Sequence, residues 1–260
     1  MNDILTEQSV RTALGACGKA LCVRVLPVCD STNVEARRLL LSGESGAALV
    51  TAERQTAGRG RLGRSFHSPA GTGVYLSLLL PLAEPLASSV SVTCAASVAV
   101  MRAIRLIVGK QVQIKWVNDL LLEGRKVCGI LTEAVGLGEQ THLIVGVGIN
   151  LRPAIFPPGL SGAGSLNDGS TPRSLLIAAV VRELLPLLRH PEDHSWLADY
   201  RAYSCVLGQR VRWSREGEIF EGVAESIDGE GGLTVRTPAG GTVVLRTGEI
   251  SVRTLPQGAD

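Results

Sequence analysis

The chain has 260 residues, 45% hydrophobic and 19% charged, a globular composition that excludes disorder and suffices for one large domain with or without a small one. The formal net charge is only +2, so the broad basic excess of a general nucleic-acid binder is missing and any cationic run is a local feature. Six cysteines at 17, 22, 29, 94, 128 and 205 form no CxxC or metal-ligand spacing, and with four scattered histidines they read as reduced, non-ligating side chains, as in a cytoplasmic protein.

The opening MNDILTEQSV has no basic region followed by an apolar run, so no secretory signal is expected. Residues 1–20 read as one short helix, and LCVRVLPVC (21–29) as a strand. Thr32-x-x-Glu35 matches a capping box and opens a helix from Val34 to Leu41, which Gly43 closes. Strands follow at 46–53 and 74–82, then a long helix at 87–107. The apolar stretch 88–108 carries Arg102, Arg105 and several Ser and Thr residues, so it reads as a buried helix rather than a membrane span.

Residues 112–122, 126–135 and 141–151 read as three strands joined by short turns, hence antiparallel neighbours. In the first of these, alternation puts Lys115, Val117 and Asp119 on one face and Trp116 and Asn118 on the other. The Pro-, Gly- and Ser-rich stretch 152–173 reads as a long surface loop, with an amphipathic helix at 174–190 and a second helix at about 193–203. From Val206 five short alternating segments with Gly-rich turns suggest a small barrel. The expected class is α+β: a mixed or antiparallel sheet flanked by helices over residues 1–204, and a small barrel over 205–260.

Two stretches carry chemistry. In QTAGRGRLGRSF (55–66), Arg59, Arg61 and Arg64 alternate with Gly58, Gly60 and Gly63. Arginine offers a fixed fork of donors for carboxylate and phosphate, and glycine frees the backbone, so the stretch reads as a clamp over an anion that orders when the anion arrives. It formally matches GxGxxG, but SFHSPAGTG follows where a dinucleotide fold needs a helix. A solvated basic loop or an RNA-binding segment is the plainer alternative, although only Phe66 offers base stacking. In KWVNDLLLEGRKVCGILTE (115–133), Lys115 and Asp119 stand inside a predicted strand, and Lys126 begins another just before Gly129, where a ligand can approach closely. By itself this is a polar edge strand with a surface lysine.

Taken together with Ser31-Thr32-Asn33 and GVGIN (146–150), these stretches closely resemble the biotin protein ligases in motif, order and spacing over about residues 29–151. The resemblance implies a catalytic domain of the class II aminoacyl-tRNA-synthetase/biotinyl-ligase type and a C-terminal SH3-like barrel. It implies that biotin and ATP are joined to biotinyl-5′-AMP, and that biotin then passes to one lysine of a biotin carboxyl carrier domain of acetyl-CoA carboxylase or a related carboxylase. Mg²⁺ would accompany ATP, and no metal site on the protein itself is expected. By the same resemblance Lys126, Arg59 and Arg61 are the catalytic groups. Ser31, Thr32, Asn33, Gln55, Gly58, Arg59, Gly60, Arg61, Lys126, Gly129, Leu131 and Gly146 hold biotin. Arg59, Arg61, Arg64, Phe66, Lys115, Asn118, Asp119 and Asn150 hold the nucleotide.

Val117 stands where the family usually has Pro, Phe66 where Trp is common, and Cys128 where a small residue is usual. Only 30 residues precede Ser31 and they show no helix-turn-helix pair, so a ligase-only member that binds neither DNA nor membrane is expected. Some relatives dimerise through the central sheet, and the sequence leaves the oligomeric state open. Two competing readings remain: a lipoate or octanoyl ligase of the same fold, and a non-enzymatic RNA-binding protein.

Overall fold

The computed structural model describes residues 3–44, 46–82, 88–190, 192–215, 217–246 and 253–254. Helix α1 (Glu7–Leu14) is opened by Thr6, whose Oγ1 accepts the Ser9 N–H at 3.0 Å while Ser9 Oγ accepts the Thr6 N–H at 3.0 Å. Gly15, at φ 59°, stops it, and the chain continues as a 3-10 turn, Gly15–Ala20. The single helix expected over 1–20 is therefore two pieces.

Strand β1 (Cys22–Leu26), helix α2 (Thr32–Leu41), strands β2 (Ala48–Ala52) and β3 (Gly73–Pro81), and helix α3 (Ser89–Val108) follow. Next come β4 (Gln113–Lys115), β5 (Asp119–Leu122), β6 (Arg125–Leu137) and β7 (Gln140–Asn150), then α4 (Arg173–Arg189) and α5 (Trp196–Tyr203). The seven strands form one sheet in the order β1-β2-β3-β7-β6-β5-β4, with β1 and β2 parallel and all other pairs antiparallel. This is the mixed sheet expected.

The two faces of the sheet differ. Leu76 and Leu78 of β3, Val145 and Val147 of β7 and Ile130 of β6 face α3 and α4, in a core with Val98, Met101, Ile104, Leu176 and Val180. By length and composition α3 could cross a membrane, yet it is packed into this core. Across the sheet a smaller cluster joins Ala36 and Leu40 of α2 to Val50, Leu79, Val135 and Ile144. Leu40 is fully buried there and contributes about 2 kcal/mol by leaving water. Between α2 and the β5 end, no helix covers the same face among the described residues, and that gap is the cavity described below.

Two expectations in this half fail. Thr32 does not cap α2: it is the first helical residue, Ser31 is the N-cap without a side-chain cap bond, and Glu35 pairs with Arg38 instead. Residues 112–122 are not one strand. The chain reverses at Trp116–Asn118, so Lys115 lies opposite Asp119 in an antiparallel pair; the two share a face as expected, but across a hairpin, and the alternation predicted through Trp116, Val117 and Asn118 is void. The Trp116–Val117 peptide is cis.

The C-terminal strands β8 (Arg210–Arg215), β9 (Glu218–Ile227), β10 (Leu233–Arg236), β11 (Thr242–Leu245) and β12 (Arg253–Thr254) form an antiparallel five-stranded sheet, β11-β10-β9-β8-β12. Most of the fifth predicted segment, residues 249–253, lies outside the described residues. The small sheet has the SH3-like form expected; its apolar face joins the main core, Arg201 of α5 donates to Ile227 O at 2.9 Å, and one turn makes a close approach to α3. Gly231 takes φ 81°, and a Cβ there would sit 3.0 Å from Cys94 Sγ and 3.2 Å from the Ser91 nitrogen at the start of α3. Only glycine fits that approach without strain.

Candidate active site

The register of three strands builds the floor of the site. Tyr75 and Ser77 of β3 lie opposite Gly148 and Gly146 of β7, which in turn lie opposite Gly129 and Leu131 of β6. Cross-strand partners share a face, so these six residues form two adjacent rows on the α2 side, with three of them lacking side chains. The trough so made opens into a cavity of about 790 Å³.

Its walls come from four places in the chain. Ser31, Thr32 and Asn33, all buried, enter from the start of α2. Gln55 is held on both sides: its Oε1 accepts the Thr32 N–H at 2.8 Å, and its Nε2 donates to Ser68 Oγ at 2.8 Å. Thr32 Oγ1 lies 3.2 Å from the same Oε1. Asn33 lies flat on Gly146, where a Cβ would come within 2.1 Å of its Oδ1.

The glycine–arginine loop folds back on itself as a small hairpin. Phe66 N–H donates to Gly58 O at 2.8 Å, Gly60 N–H donates to Arg64 O at 2.7 Å, and Arg59 bridges Ser65. A Cβ on Gly58 would stand 2.4 Å from Phe66 O, so this glycine is needed for the close crossing of the hairpin. Arg61 points inward and donates from Nη1 to Asn118 Oδ1 at 3.0 Å. Burial pushes its guanidinium below the ordinary value, partly offset by Asp119. Phe66 lies over the trough: Cβ atoms on Gly148 and Gly129 would meet its ring at 2.5 Å and 3.3 Å.

The third wall is the reversal at Trp116–Asn118. Tyr200 Oη and Ser97 Oγ donate to Val117 O at 3.2 and 3.3 Å, and Trp116 Nε1 donates to Gly231 O at 2.9 Å. Held from both sides, the turn presents Asn118, which also donates from Nδ2 to Ile130 O at 2.8 Å. Lys115 and Asp119 line the cavity beside it. Lys126 Nζ stands 2.6 Å from Asp119 Oδ1, a charge contact whose angles fall short of a directed hydrogen bond.

The fourth wall was not foreseen. The stretch read as a surface loop threads back to β6: Lys126 N–H donates to Gly162 O at 2.9 Å and Gly164 N–H donates to Lys126 O at 2.8 Å. Gly159, Leu160, Gly162 and Ala163 line the cavity, and Gly164 to Leu166 are buried. The signal available was length, since a 22-residue connection without predicted structure is unusual unless it serves a site.

Of the residues named from sequence, the structure gathers Ser31, Thr32, Asn33, Gln55, Arg59, Gly60, Arg61, Arg64, Phe66, Lys115, Asn118, Asp119, Lys126, Gly129, Leu131 and Gly146 around this cavity. Gly58 and Asn150 are not on its wall. Asn150 instead donates from Nδ2 to Gly164 O at 2.9 Å and so holds the fourth wall in place. Cys128 faces the opposite core, where burial raises its thiol well above the usual range, so it is a packing residue. Gly148 and Ser77 went unnamed. Among the described residues no group of three His, Cys, Asp or Glu side chains is placed to hold a metal ion.

A cavity lined by three arginines and two lysines suits anionic ligands. The sequence pattern of the Biotin/lipoate A/B protein ligase family matches residues 25–150, and that of the Biotin protein ligase C terminal domain matches residues 206–253. The chain is 35% identical to the Biotin--[acetyl-CoA-carboxylase] ligase of Paracoccus denitrificans, over 83% of this chain and 94% of that one. It is 31% identical to the enzyme of the same name from Mycobacterium tuberculosis, over 95% of both. Among solved structures it resembles the biotin protein ligase from Aquifex aeolicus in complex with biotin and ATP, at 27% identity and a TM-score of 0.76, covering 91% of this chain and all of that one. Motif, fold and cavity agree with these likenesses, and the chain belongs to the biotin protein ligase family of enzymes.

Proposed function

We propose that this enzyme activates biotin with ATP as biotinyl-5′-AMP and transfers the biotinyl group to a lysine of a biotin carboxyl carrier domain of acetyl-CoA carboxylase or a related carboxylase. The observation that carries the reading is the convergence of Lys126, Arg59 and Arg61 on one cavity whose far end is lined by Ser31, Thr32 and Gln55. In the first step a carboxylate oxygen of biotin attacks the α-phosphorus, the bond to the bridging oxygen breaks, and pyrophosphate leaves. Two anions have to meet, and the three cations offset their repulsion. Lys126 stabilises the charge that develops between carboxylate and α-phosphate. In the second step the neutral amine of the carrier lysine attacks the acyl carbon, AMP leaves with the bonding pair, and the amine loses its proton.

The neutral ureido end of biotin suits the hydroxyl and amide groups of Ser31, Thr32 and Gln55. The purine lies near Phe66 and Asn118, with Arg64 and Lys115 toward the phosphates. Mg²⁺ arrives with ATP. Asp119 is a hard oxygen donor at the phosphate end, and one carboxylate beside the substrate phosphates is an ordinary Mg²⁺ environment. The closed hairpin keeps water from the mixed anhydride. Residues 1–204 serve as the catalytic domain and 205–260 as the accessory barrel.

The test is mass spectrometry of a biotin carboxyl carrier domain after incubation with enzyme, biotin and MgATP. A gain of one biotinyl group on one lysine is expected. No gain, or a gain only with lipoate, overturns the proposal.

A further inference from the structure

Glu133, on β6, was not named from sequence, yet it joins the floor of the site to the glycine–arginine loop. Its Oε2 accepts Asn33 Nδ2 at 2.7 Å, and its Oε1 lies 3.7 Å from Arg59 Nη1. Asn33 has no freedom to release it. Asn33 Oδ1 accepts from Ser77 Oγ at 2.6 Å, and Nδ2 also reaches Leu131 O at 3.4 Å. Ser77 is itself fully buried and lies 2.8 Å from Thr32 Oγ1. The chain Ser77–Asn33–Glu133–Arg59 therefore runs from beneath the trough to the loop, and Glu133 is a fixed anion on a rigid strand.

Arg59 is half exposed. A guanidinium has five donors, so Arg59 can keep one side on Glu133 while offering the other to an anionic ligand. We propose that Glu133 is a positioning residue that anchors the hairpin in its closed place through Arg59, and so sets how long the acyl-adenylate is retained rather than how fast it forms. This rests on the adenylation reading given above. The contrary effect, competition with the ligand for Arg59, is the weaker one here because Glu133 is already engaged by Asn33.

Glu133→Gln isolates the charge, since an amide oxygen still accepts from Asn33. Expected are an unchanged melting temperature, single-turnover formation of biotinyl-AMP within about twofold of wild type, and release of the adenylate without carrier about two- to fivefold faster, the range carried by an exposed ion pair. Adding Glu133→Gln to Arg59→Gln should speed release no further. Unchanged release, slower release, or full additivity with Arg59→Gln overturns the proposal. Hydrogen exchange of residues 58–66 in the ligand-free protein gives a second readout, expected to be faster in Glu133→Gln; equal exchange also overturns the anchor. A wild-type enzyme that forms no biotinyl-AMP sinks the adenylation reading alone, because the exchange arm still tests the anchor.

Discussion

The Lys126 ammonium reaches diagonally across the β5–β6 pair to Asp119, with 2.6 Å between Nζ and Oδ1, and lies along Gly129, the strand partner of Asp119, 3.2 Å from where a Cβ would stand. The cation is thus held by a carboxylate at the cavity wall, and in the proposed reaction substrate phosphates would compete for it.

Lys126→Ala should therefore damage adenylation more than biotin binding. Loss of one such donor costs about 3–4 kcal/mol of transition-state stabilisation, or roughly 10²–10³ in rate. Lys126→Arg should rescue only in part, because a planar fork cannot replace a compact ammonium. Single-turnover formation of biotinyl-AMP beside calorimetric biotin binding decides it. An unchanged adenylation rate in Lys126→Ala ends this assignment.

Two of the three trough glycines should respond differently to alanine. At Gly148 the added methyl meets the Phe66 ring at 2.5 Å, and Phe66 sits on the loop hairpin rather than on a core strand. Gly148→Ala should leave stability nearly intact while displacing the hairpin and weakening ligand binding about tenfold or more. At Gly146 the methyl meets Asn33 Oδ1 at 2.1 Å, and Asn33 is locked by Ser77 and Glu133. Gly146→Ala should cost about 1–3 kcal/mol of stability as overpacking. Melting curves and calorimetry of both variants separate the cases; equal melting temperatures would contradict the locked network.

What the sequence revealed and what it hid have physical reasons. Short turns at 123–124 and 138–139 made the β5-β6-β7 meander legible, and the arginines between glycines marked the anion-binding loop. The reversal at Trp116–Asn118 was hidden because it contains neither Gly nor Pro and sits in an alternating run. It is held from afar, by Gly231, Tyr200 and Ser97. Thr32 looked like a helix cap because the capping box is a local pattern, while its actual partners, Gln55 and Ser77, are 23 and 45 residues away. Ser77 and Glu133 read as ordinary strand residues, since periodicity gives a face but not a partner.

The fourth wall has an acid-side signature. Burial raises the Asp168 pKa, but hydrogen bonds from Thr171 and Ser170 outweigh it and hold the carboxyl at about 2, below its ordinary 3.8. A folded-state pKa below the unfolded value gives stability that is present above about pH 3.8 and lost as pH falls through about 2. Asp168→Asn should therefore be less stable than wild type at pH 5–7, and the difference should shrink as pH falls from about 3.8 to about 2. Chemical denaturation at several pH values measures it, and a difference that grows toward acid would reverse the sign argued here.

Trp116 ties the Asn118 end of the cavity, where the nucleotide is proposed to bind, to the C-terminal sheet, and its removal should be felt on both sides. Its indole N–H is buried and donates to Gly231 O. Trp116→Phe keeps most of the ring volume and removes that donor, leaving the carbonyl with only the weaker Cys94 thiol at 3.8 Å. A buried acceptor that loses its partner costs about 1–3 kcal/mol, so the melting temperature should fall. The turn that loosens also carries Asn118, the partner of Arg61, whereas Ser31, Thr32 and Gln55 belong to other elements. The KM for ATP should therefore rise more than the KM for biotin. Initial-rate kinetics with each substrate varied in turn give the comparison. A variant less stable but with both KM values unchanged would make the contact a structural strut with no bearing on the nucleotide.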